Sequence, residues 1–285
     1  MAAYLRPTRL DEALDALARG GPGGVPWTVV AGATDHYPAR VGRLPDEDVL
    51  DVTAIVGLRD IAEVHGGWWI GALATWTDLT EASLPPLFDG LRQAAVAIGG
   101  LQIQARATVV GNVCNASPAA DGVPNLLALD ATVELAGGQQ TRRVPLVEFI
   151  TGNRRTVRRP DELVTGMVVP APLPGTRVRS TFQKLGSRAY LVISIAMVAA
   201  VVEVDDDRLI KRARVAVGAC SEVAQRLPAL ETALRGRRAV AATSTMATAV
   251  HLADLTPIDD VRGTAEYRRD AALTTVRRAL EAVLS

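Results

Sequence analysis

A proline-rich segment at residues 170–175 limits how this chain can fold more than any other feature. It reads Pro-Ala-Pro-Leu-Pro-Gly, and its prolines lack the backbone N–H that a helix interior or a central strand needs. We therefore interpret the segment as a linker, because no regular element can continue through it. The chain is predicted to divide into a larger domain at residues 1–175 and a smaller domain at residues 176–285.

Before the linker, apolar periodicity predicts a mixture of helices and strands. Thr8 and Asp11 have the spacing of a capping box at the start of the first helix, and Gly66-Gly67 has the composition of a hairpin turn. Residues 106–125 are rich in Gly, Asn, Ser and Pro and are interpreted as loop. The predicted helices are Thr8–Arg19, Thr77–Ser83 with Thr77 as N-cap, and Leu87–Ile98; the predicted strands are Trp27–Ala31, Val49–Thr53, Ile61–His65, Trp68–Leu73, Thr132–Ala136, Thr141–Pro145 and Glu162–Val169.

After the linker, strands come first and helices follow, which indicates an α+β domain with an antiparallel sheet. Asp205-Asp206-Asp207 is interpreted as a solvated turn between two of the strands. The predicted strands are Ser180–Leu185, Ile193–Val204 and Leu209–Cys220, and the predicted helices are Pro228–Leu234, Thr243–Leu252 and Thr264–Leu284.

Charge and cysteine content exclude several functional classes. The 285 residues carry 31 Lys+Arg and 31 Asp+Glu, so no net charge favours nucleic acid or an anionic membrane. The two cysteines, Cys114 and Cys220, cannot supply the ligands of an iron–sulfur cluster or a cysteine zinc site. Neither the N-terminus nor the longest apolar stretch, Tyr190 to Val202, has the form of a signal peptide or a membrane span. We expect a soluble cytoplasmic protein without membrane insertion.

Two loops remain as candidate sites, because the usual nucleophile, P-loop and zinc-protease motifs are missing. The first loop, Ala31-Gly32-Ala33-Thr34-Asp35, follows a predicted strand, and small residues there let backbone N–H groups turn toward an anion. The second runs from Thr108 to Asp121 and concentrates hydroxyl, amide and carboxylate groups within apolar sequence. A buried polar stretch needs hydrogen-bond partners, and a polar ligand or the fold itself can supply them.

Taken in order, the two loops resemble those of the FAD-binding medium subunit of the molybdenum hydroxylases, a family that includes the flavin subunits of xanthine dehydrogenase and aerobic carbon monoxide dehydrogenase. Val30-Ala31-Gly32-Ala33-Thr34-Asp35 is similar to the family's first pyrophosphate loop. Gly111-Asn112, Asn115-Ala116-Ser117-Pro118 and Asp121 resemble its motif G-G-N-x-x-N-A-S-P-x-x-D. Phe182-Gln183-Lys184-Leu185-Gly186-Ser187-Arg188 resembles the segment that opens its C-terminal domain. The resemblance covers most of the chain and implies a two-lobed FAD-binding domain of the PCMH/VAO type, with lobes at about residues 1–57 and 58–175, followed by a smaller α+β domain.

The resemblance also implies which residues bind non-covalent FAD. The two loops would contact the pyrophosphate through their backbones, Asp121 would bind the adenosine half, and Lys184 would lie near the isoalloxazine. Tyr190 would either stack on the flavin or pack in a core or interface. The implied cofactor-binding residues are Ala31, Gly32, Ala33, Thr34, Asp35, His36, Thr108, Val110, Gly111, Asn112, Ser117, Asp121, Lys184 and Tyr190.

Three positions depart from the family pattern. Many members have glycine where this chain has Ala33 and Val110, and Val192 stands where aspartate is frequent. The backbone N–H groups are kept at Ala33 and Val110, but a Cβ limits how closely a phosphate can approach.

The function that the resemblance implies is electron transfer within a multi-subunit enzyme. A small partner subunit with 2Fe–2S clusters would deliver electrons, and FAD would pass them to NAD⁺ or another acceptor. A large partner subunit with the molybdenum cofactor would hydroxylate the substrate, in a heterotrimer or a dimer of heterotrimers. The pairs Arg154-Arg155 and Arg158-Arg159 would either contact these partners or lie in a solvated loop.

Two alternatives stay open at this point. One is a free-standing FAD oxidase or reductase of the same fold, for which the sequence offers no strong acid or base. The other is a non-catalytic assembly subunit that has lost its flavin, which Ala33 and Val110 would favour. Covalent flavin through His36 or Cys114 is the less favoured mode of attachment.

Overall fold

The N-terminal lobe is a small parallel sheet packed against one helix. The structure is a computed structural model and describes residues 2–42, 46–138 and 140–285. The elements are β1 (Tyr4–Leu5), α1 (Leu10–Arg19), β2 (Thr28–Val30) and β3 (Val49–Asp51), and the strands lie in the order β1-β3-β2. Ala13, Ala16 and Leu17 form the buried face of α1, and Gly20, at a φ of +72°, follows its last residue. Both predicted strands of this lobe are present, with shorter bounds than the sequence indicated.

The start of α1 differs from the predicted capping box. The carboxylate of Glu12, rather than that of Asp11, accepts hydrogen bonds from the backbone N–H groups of Thr8 and Arg9, at 3.1 and 3.3 Å. The helix starts at Leu10, so Asp11 lies within its first turn, next to the helix end that favours negative charge.

The middle lobe contains a five-stranded antiparallel sheet and a group of short helices. Its sheet order is β4-β5-β10-β6-β7, while β8 and β9 pair separately. The elements are β4 (Ile61–Val64), β5 (Gly67–Gly71), α2 (Trp76–Glu81), α3 (Asp89–Ala97), α4 (Leu101–Gln104), α5 (Val109–Asn115), α6 (Gly122–Ala128), β6 (Thr132–Gly137), β7 (Gln140–Pro145), α7 (Leu146–Phe149), β8 (Ile150–Gly152), β9 (Arg155–Thr156) and β10 (Glu162–Pro170).

The structure corrects two predictions in this lobe, the N-cap of α2 and the loop at residues 106–125. The N-cap of α2 is Thr75, whose side chain accepts from the N–H of Asp78 at 3.1 Å, so Thr77 lies inside the helix. The segment 106–125 is not loop throughout, because it holds α5 and α6. Both helices are short, and their Gly and Asn residues disfavour a helix. Because most of their residues are buried, tertiary packing stabilises them.

The C-terminal domain is a four-stranded antiparallel sheet with helices on one side. Its strands lie in the order β11-β12-β13-β14, and the predicted helix Thr243–Leu252 is instead two 3₁₀ helices, Ala241–Met246 and Ala249–Leu252. The elements are β11 (Arg177–Leu185), β12 (Ala196–Val204), β13 (Ile210–Gly218), β14 (Gln225–Arg226), α8 (Pro228–Leu234) and α9 (Ala265–Leu284).

Both faces of the C-terminal sheet are buried. Met197, Ala199 and Val201 of β12 belong to a core shared with α3 and α6 of the middle lobe. The alternate residues, including Val198 and Val202, pack in a second core with α8 and α9. This two-sided burial explains why β12 is apolar at every position from Ala196 to Val202 and does not alternate.

Candidate functional site

A cleft of about 650 Å³ lies between the N-terminal lobe and the middle lobe. This volume falls within the range of small-molecule and cofactor sites. The wall from the N-terminal lobe is β2 and the loop after it, residues 31–36. The opposite wall includes α5 and part of β10. The cleft therefore brings together the two loops that the sequence singled out.

The first loop crosses the cleft with unused backbone donors. Among the described residues, no acceptor is found for the amide N–H groups at positions 33–36. Gly32 lies so close to the middle lobe that an added Cβ would overlap the backbone carbonyl oxygen of Arg106 and lie 2.9 Å from the Cα of Ala107. The loop thus contacts the middle lobe at Gly32, and the residues that follow Gly32 have N–H groups free to bind a ligand.

The second loop presents the first turn of α5. Thr108 is the N-cap, and its hydroxyl accepts from the N–H of Gly111 at 2.9 Å. The N–H of Val110 has no acceptor in the part of the chain that the structure describes. Asn112 ties this turn to α6, because its side-chain oxygen accepts from the N–H of Gly122 at 3.2 Å.

These donors fit an anionic dinucleotide. Backbone N–H groups without acceptors from both walls, the one at Val110 and those of the first loop, are the groups that diphosphate oxygens accept from. A side-chain donor adds to these backbone groups. Trp76 is fully buried and lines the cleft, and its Nε1–H has no acceptor among the described residues. The geometry therefore supports the cofactor that the loop sequences imply.

His36 lines the cleft as a neutral side chain. Burial lowers its pKa, and the neighbouring Arg40 guanidinium lowers it further, although Glu47 acts in the opposite direction. The imidazole therefore carries no charge near neutral pH and would not pair with a phosphate as a cation.

Ala33 adopts a backbone conformation that normally requires glycine. Its φ is +56°, in the left-handed region where a Cβ is strained. We expect Ala33→Gly to raise the free energy of unfolding by about 1 kcal/mol, because the strain is released. Urea unfolding followed by circular dichroism would measure the change. Ala39→Gly, in an ordinary 3₁₀ turn, is the matched control and should lower stability. Equal losses in both variants would contradict the strain at Ala33.

The structure brings ten of the fourteen predicted cofactor-binding residues into the cleft wall. The four that do not line it are Ser117, Asp121, Lys184 and Tyr190. Tyr190 is 78% exposed, on the segment between β11 and β12. The roles of these four residues toward FAD stay predictions.

Asp121 and Lys184 instead contact each other across the two domains. The Lys184 ammonium donates to one carboxylate oxygen of Asp121 at 2.5 Å, and the Ser194 hydroxyl donates to the other at 2.5 Å. Asp121 and Ser194 are buried, and Lys184 is largely so. The contact links the start of α6 to the C-terminal domain.

Sequence reasoning missed several cleft residues that come from distant parts of the chain. Trp76, Ile98 and Ile103 add apolar wall, and Arg154 and Arg158 add positive charge. The adjacent arginine pairs were a usable signal, but their sequence does not show which member of each pair faces the cleft.

A two-lobed α+β fold with this cleft, followed by a packed C-terminal α+β domain, defines a protein of the FAD-binding class. Residues 1–172 match the family described as the FAD binding domain in molybdopterin dehydrogenase. Residues 181–283 match the CO dehydrogenase flavoprotein C-terminal domain. The chain therefore belongs to the FAD-binding medium subunits of the molybdenum hydroxylase family, as the loop motifs indicated, and FAD is the cofactor of this family.

Relatives and solved structures agree with this assignment. The chain is 32% identical to the nicotinate dehydrogenase FAD-subunit of Eubacterium barkeri over 71% of this chain and 69% of that protein. It is 29% identical to the 6-hydroxypseudooxynicotine dehydrogenase complex subunit alpha of Paenarthrobacter nicotinovorans, over 99% and 94% of the two chains. Carbon monoxide dehydrogenase from Hydrogenophaga pseudoflava contains a chain with a TM-score of 0.84 and 28% identity, covering 99% of this chain and 96% of that one.

The described residues contain neither a helix that could span a membrane nor a cluster of metal-ligating side chains. None of the helices in the described ranges has the length and apolar content needed to span a membrane. Within the same ranges, His, Cys, Asp and Glu side chains form no group of three or more that could hold a metal ion.

Proposed function

We propose that this chain is the electron-transfer subunit of a multi-subunit molybdenum hydroxylase. It receives electrons from a small partner subunit with 2Fe–2S clusters and passes them through its flavin site to NAD⁺ or another acceptor. A large partner subunit with the molybdenum cofactor hydroxylates the substrate. We further propose residues 1–175 as the FAD-binding domain, with lobes at about 1–57 and 58–175, and residues 176–285 as the C-terminal domain.

One observation carries this proposal: the cleft between the lobes is lined by both loops and by N–H groups without acceptors. When FAD is bound, it supplies one- and two-electron redox chemistry. The N–H groups at positions 33–36 and at Val110 would hold its diphosphate. The apolar side chains of Ile98 and Ile103, which also line the cleft, would cover the flavin end and exclude water. No acid–base pair is needed for a subunit that only carries electrons.

The partner subunits are inferred from the relatives and from what this chain lacks. The relatives are described as a FAD-subunit and as one subunit of a dehydrogenase complex. Cys114 and Cys220 are too few to ligate an iron–sulfur cluster, which agrees with a proposal that places these centres on partner subunits. A heterotrimer, or a dimer of heterotrimers, is the assembly we propose.

An absorption spectrum of the purified chain tests the proposal, together with chromatography of the nucleotide that heat releases. We expect flavin bands and close to one FAD per chain, free in the supernatant after acid precipitation. Reduction of the bound flavin by NADH in a stopped-flow experiment would then identify NAD⁺ as the acceptor. Lack of reduction would favour another acceptor.

The same experiment separates the alternatives. A colourless chain that refuses added FAD would contradict the proposal and favour an assembly subunit without flavin. A yellow chain that turns over a substrate without partner subunits would favour a free-standing flavoenzyme.

A further inference from the structure

The cleft carries a cationic edge that the two loops do not explain. Arg154 and Arg158 both line it, whereas their sequence neighbours Arg155 and Arg159 do not. Arg155 points elsewhere and pairs with Glu222 at 3.1 Å. Each arginine pair is therefore split, with one member at the cleft and one outside it.

Backbone geometry places Arg154 at the cleft. It lies in the turn between β8 and β9 with a φ of +59°, and its N–H donates to the carbonyl oxygen of Ala116 at 2.9 Å. Its guanidinium Nη1 donates to Asp35 of the first loop and to Asn115 at the end of α5. The other guanidinium nitrogens have no acceptor among the described residues, and the side chain is 52% exposed. Arg154 thus bridges the two walls and keeps donors for a ligand.

Arg158 is a partly buried cation without a carboxylate partner among the described residues. Its Nη1 donates to the carbonyl oxygens of Arg159 and Glu162, at 3.0 and 2.7 Å, and these bonds leave its charge uncompensated. A partly buried cation of this kind is stabilised by an anion.

The charged residues of the cleft wall have a positive sum. The wall contains Arg40, Arg154 and Arg158 against one carboxylate, Asp35. Arg40 is already paired with Glu47, so the remaining formal charge is +1 and comes from Arg154 and Arg158. A diphosphate carries about two negative charges, and the planar guanidinium fork matches phosphate oxygens. Arg154 lies at the Asn115 end of α5, a helix about 10 Å long whose other end, at Thr108, carries the unused N–H of Val110.

We propose that Arg154 and Arg158 bind the adenosine diphosphate half of FAD and thereby favour FAD over riboflavin, which lacks that half. The inference rests on the FAD site proposed above. Arg154 closes the cleft by joining Asp35 to Asn115, and Arg158 neutralises the diphosphate from the adjoining wall.

The test compares Arg154→Met and Arg158→Met with the matched controls Arg155→Met and Arg159→Met. Fluorescence titration of the full chain after flavin removal would give the dissociation constants for FAD and riboflavin, with ADP as competitor. We expect each cleft variant to weaken FAD and ADP binding at least about tenfold. Riboflavin binding and both controls should change less than about twofold. Arg158→Lys keeps the charge and should recover part of the loss.

Two results would overturn the inference. One is wild-type affinity for FAD and ADP in both cleft variants. The other is an equal loss for riboflavin, which would mean that the arginines only maintain the fold. If the wild-type chain itself binds no FAD, the proposed function fails, and that result is known before any variant is made.

Discussion

Replacing Gly32 with alanine is expected to weaken FAD binding by at least about 100-fold, corresponding to about 3 kcal/mol. The added methyl group would overlap the backbone carbonyl oxygen of Arg106, and backbone cannot move aside as a flexible side chain can. Because Gly32 is where the first loop meets the middle lobe, separation of the two walls would displace the unused N–H groups at positions 33–36. Fluorescence titration of the flavin-free protein would measure the loss.

The matched control is Gly100→Ala. A Cβ at Gly100 would lie 3.4 Å from the side-chain oxygen of Gln102 and 3.7 Å from Leu191, which is ordinary contact. This variant should bind FAD within about twofold of the wild type. Wild-type affinity in Gly32→Ala would show that the lobes do not meet at this residue.

The second large effect is expected for Arg214→Met in the C-terminal domain. Arg214 is 3% exposed and donates to the fully buried Glu203 at 2.7 Å and to Asp130 of the middle lobe at 2.9 Å. Without the Arg214 guanidinium, the buried carboxylate of Glu203 loses its most buried positive partner. We expect the free energy of unfolding to fall by about 3–5 kcal/mol, measured by urea unfolding.

Arg212 provides the internal comparison, because it binds the same carboxylate oxygen at 2.7 Å from a more exposed position. Arg212→Met should cost about 1 kcal/mol, since solvent screens its pair more strongly. The double variant Glu203→Gln/Arg214→Met should be more stable than Arg214→Met alone, because the buried charge is gone. Equal costs for the two arginine variants would rule out burial as the cause.

Long helices and strands were predictable from the sequence, because the spacing of their apolar residues follows the repeat of the helix or strand. The hairpin at Gly66-Gly67, the apolar strand β12 and the helix α9 all appear where the pattern placed them. The helices α5 and α6 were missed, since Gly111 and Asn112 disfavour a helix in isolation. The one available sign of α5 was Thr108, because threonine is a favoured residue at the N-cap of a helix.

The candidate site was predictable where it is built from contiguous loops. Ala31 to His36 and Thr108 to Asn112 line the cleft, and each set is a single stretch of chain. Arg154 and Arg158 lie outside these loops, and Arg154 could not be placed from sequence because it faces the cleft from a left-handed turn. Such a turn at a non-glycine residue depends on tertiary contacts and has no clear sequence signature.

The core shared by the middle lobe and the C-terminal sheet has a consequence for biosynthesis. Helices α3 and α6 bury their apolar faces against Met197, Ala199 and Val201, which leave the ribosome about a hundred residues after α3 begins. Until β11, β12 and β13 are made, that surface of the nascent chain has nothing to cover it and is open to aggregation. The domain boundary that we propose at residues 170–175 would thus separate two stretches of sequence that do not fold independently. The nascent chain completes its flavin-binding domain only after its last sheet has docked.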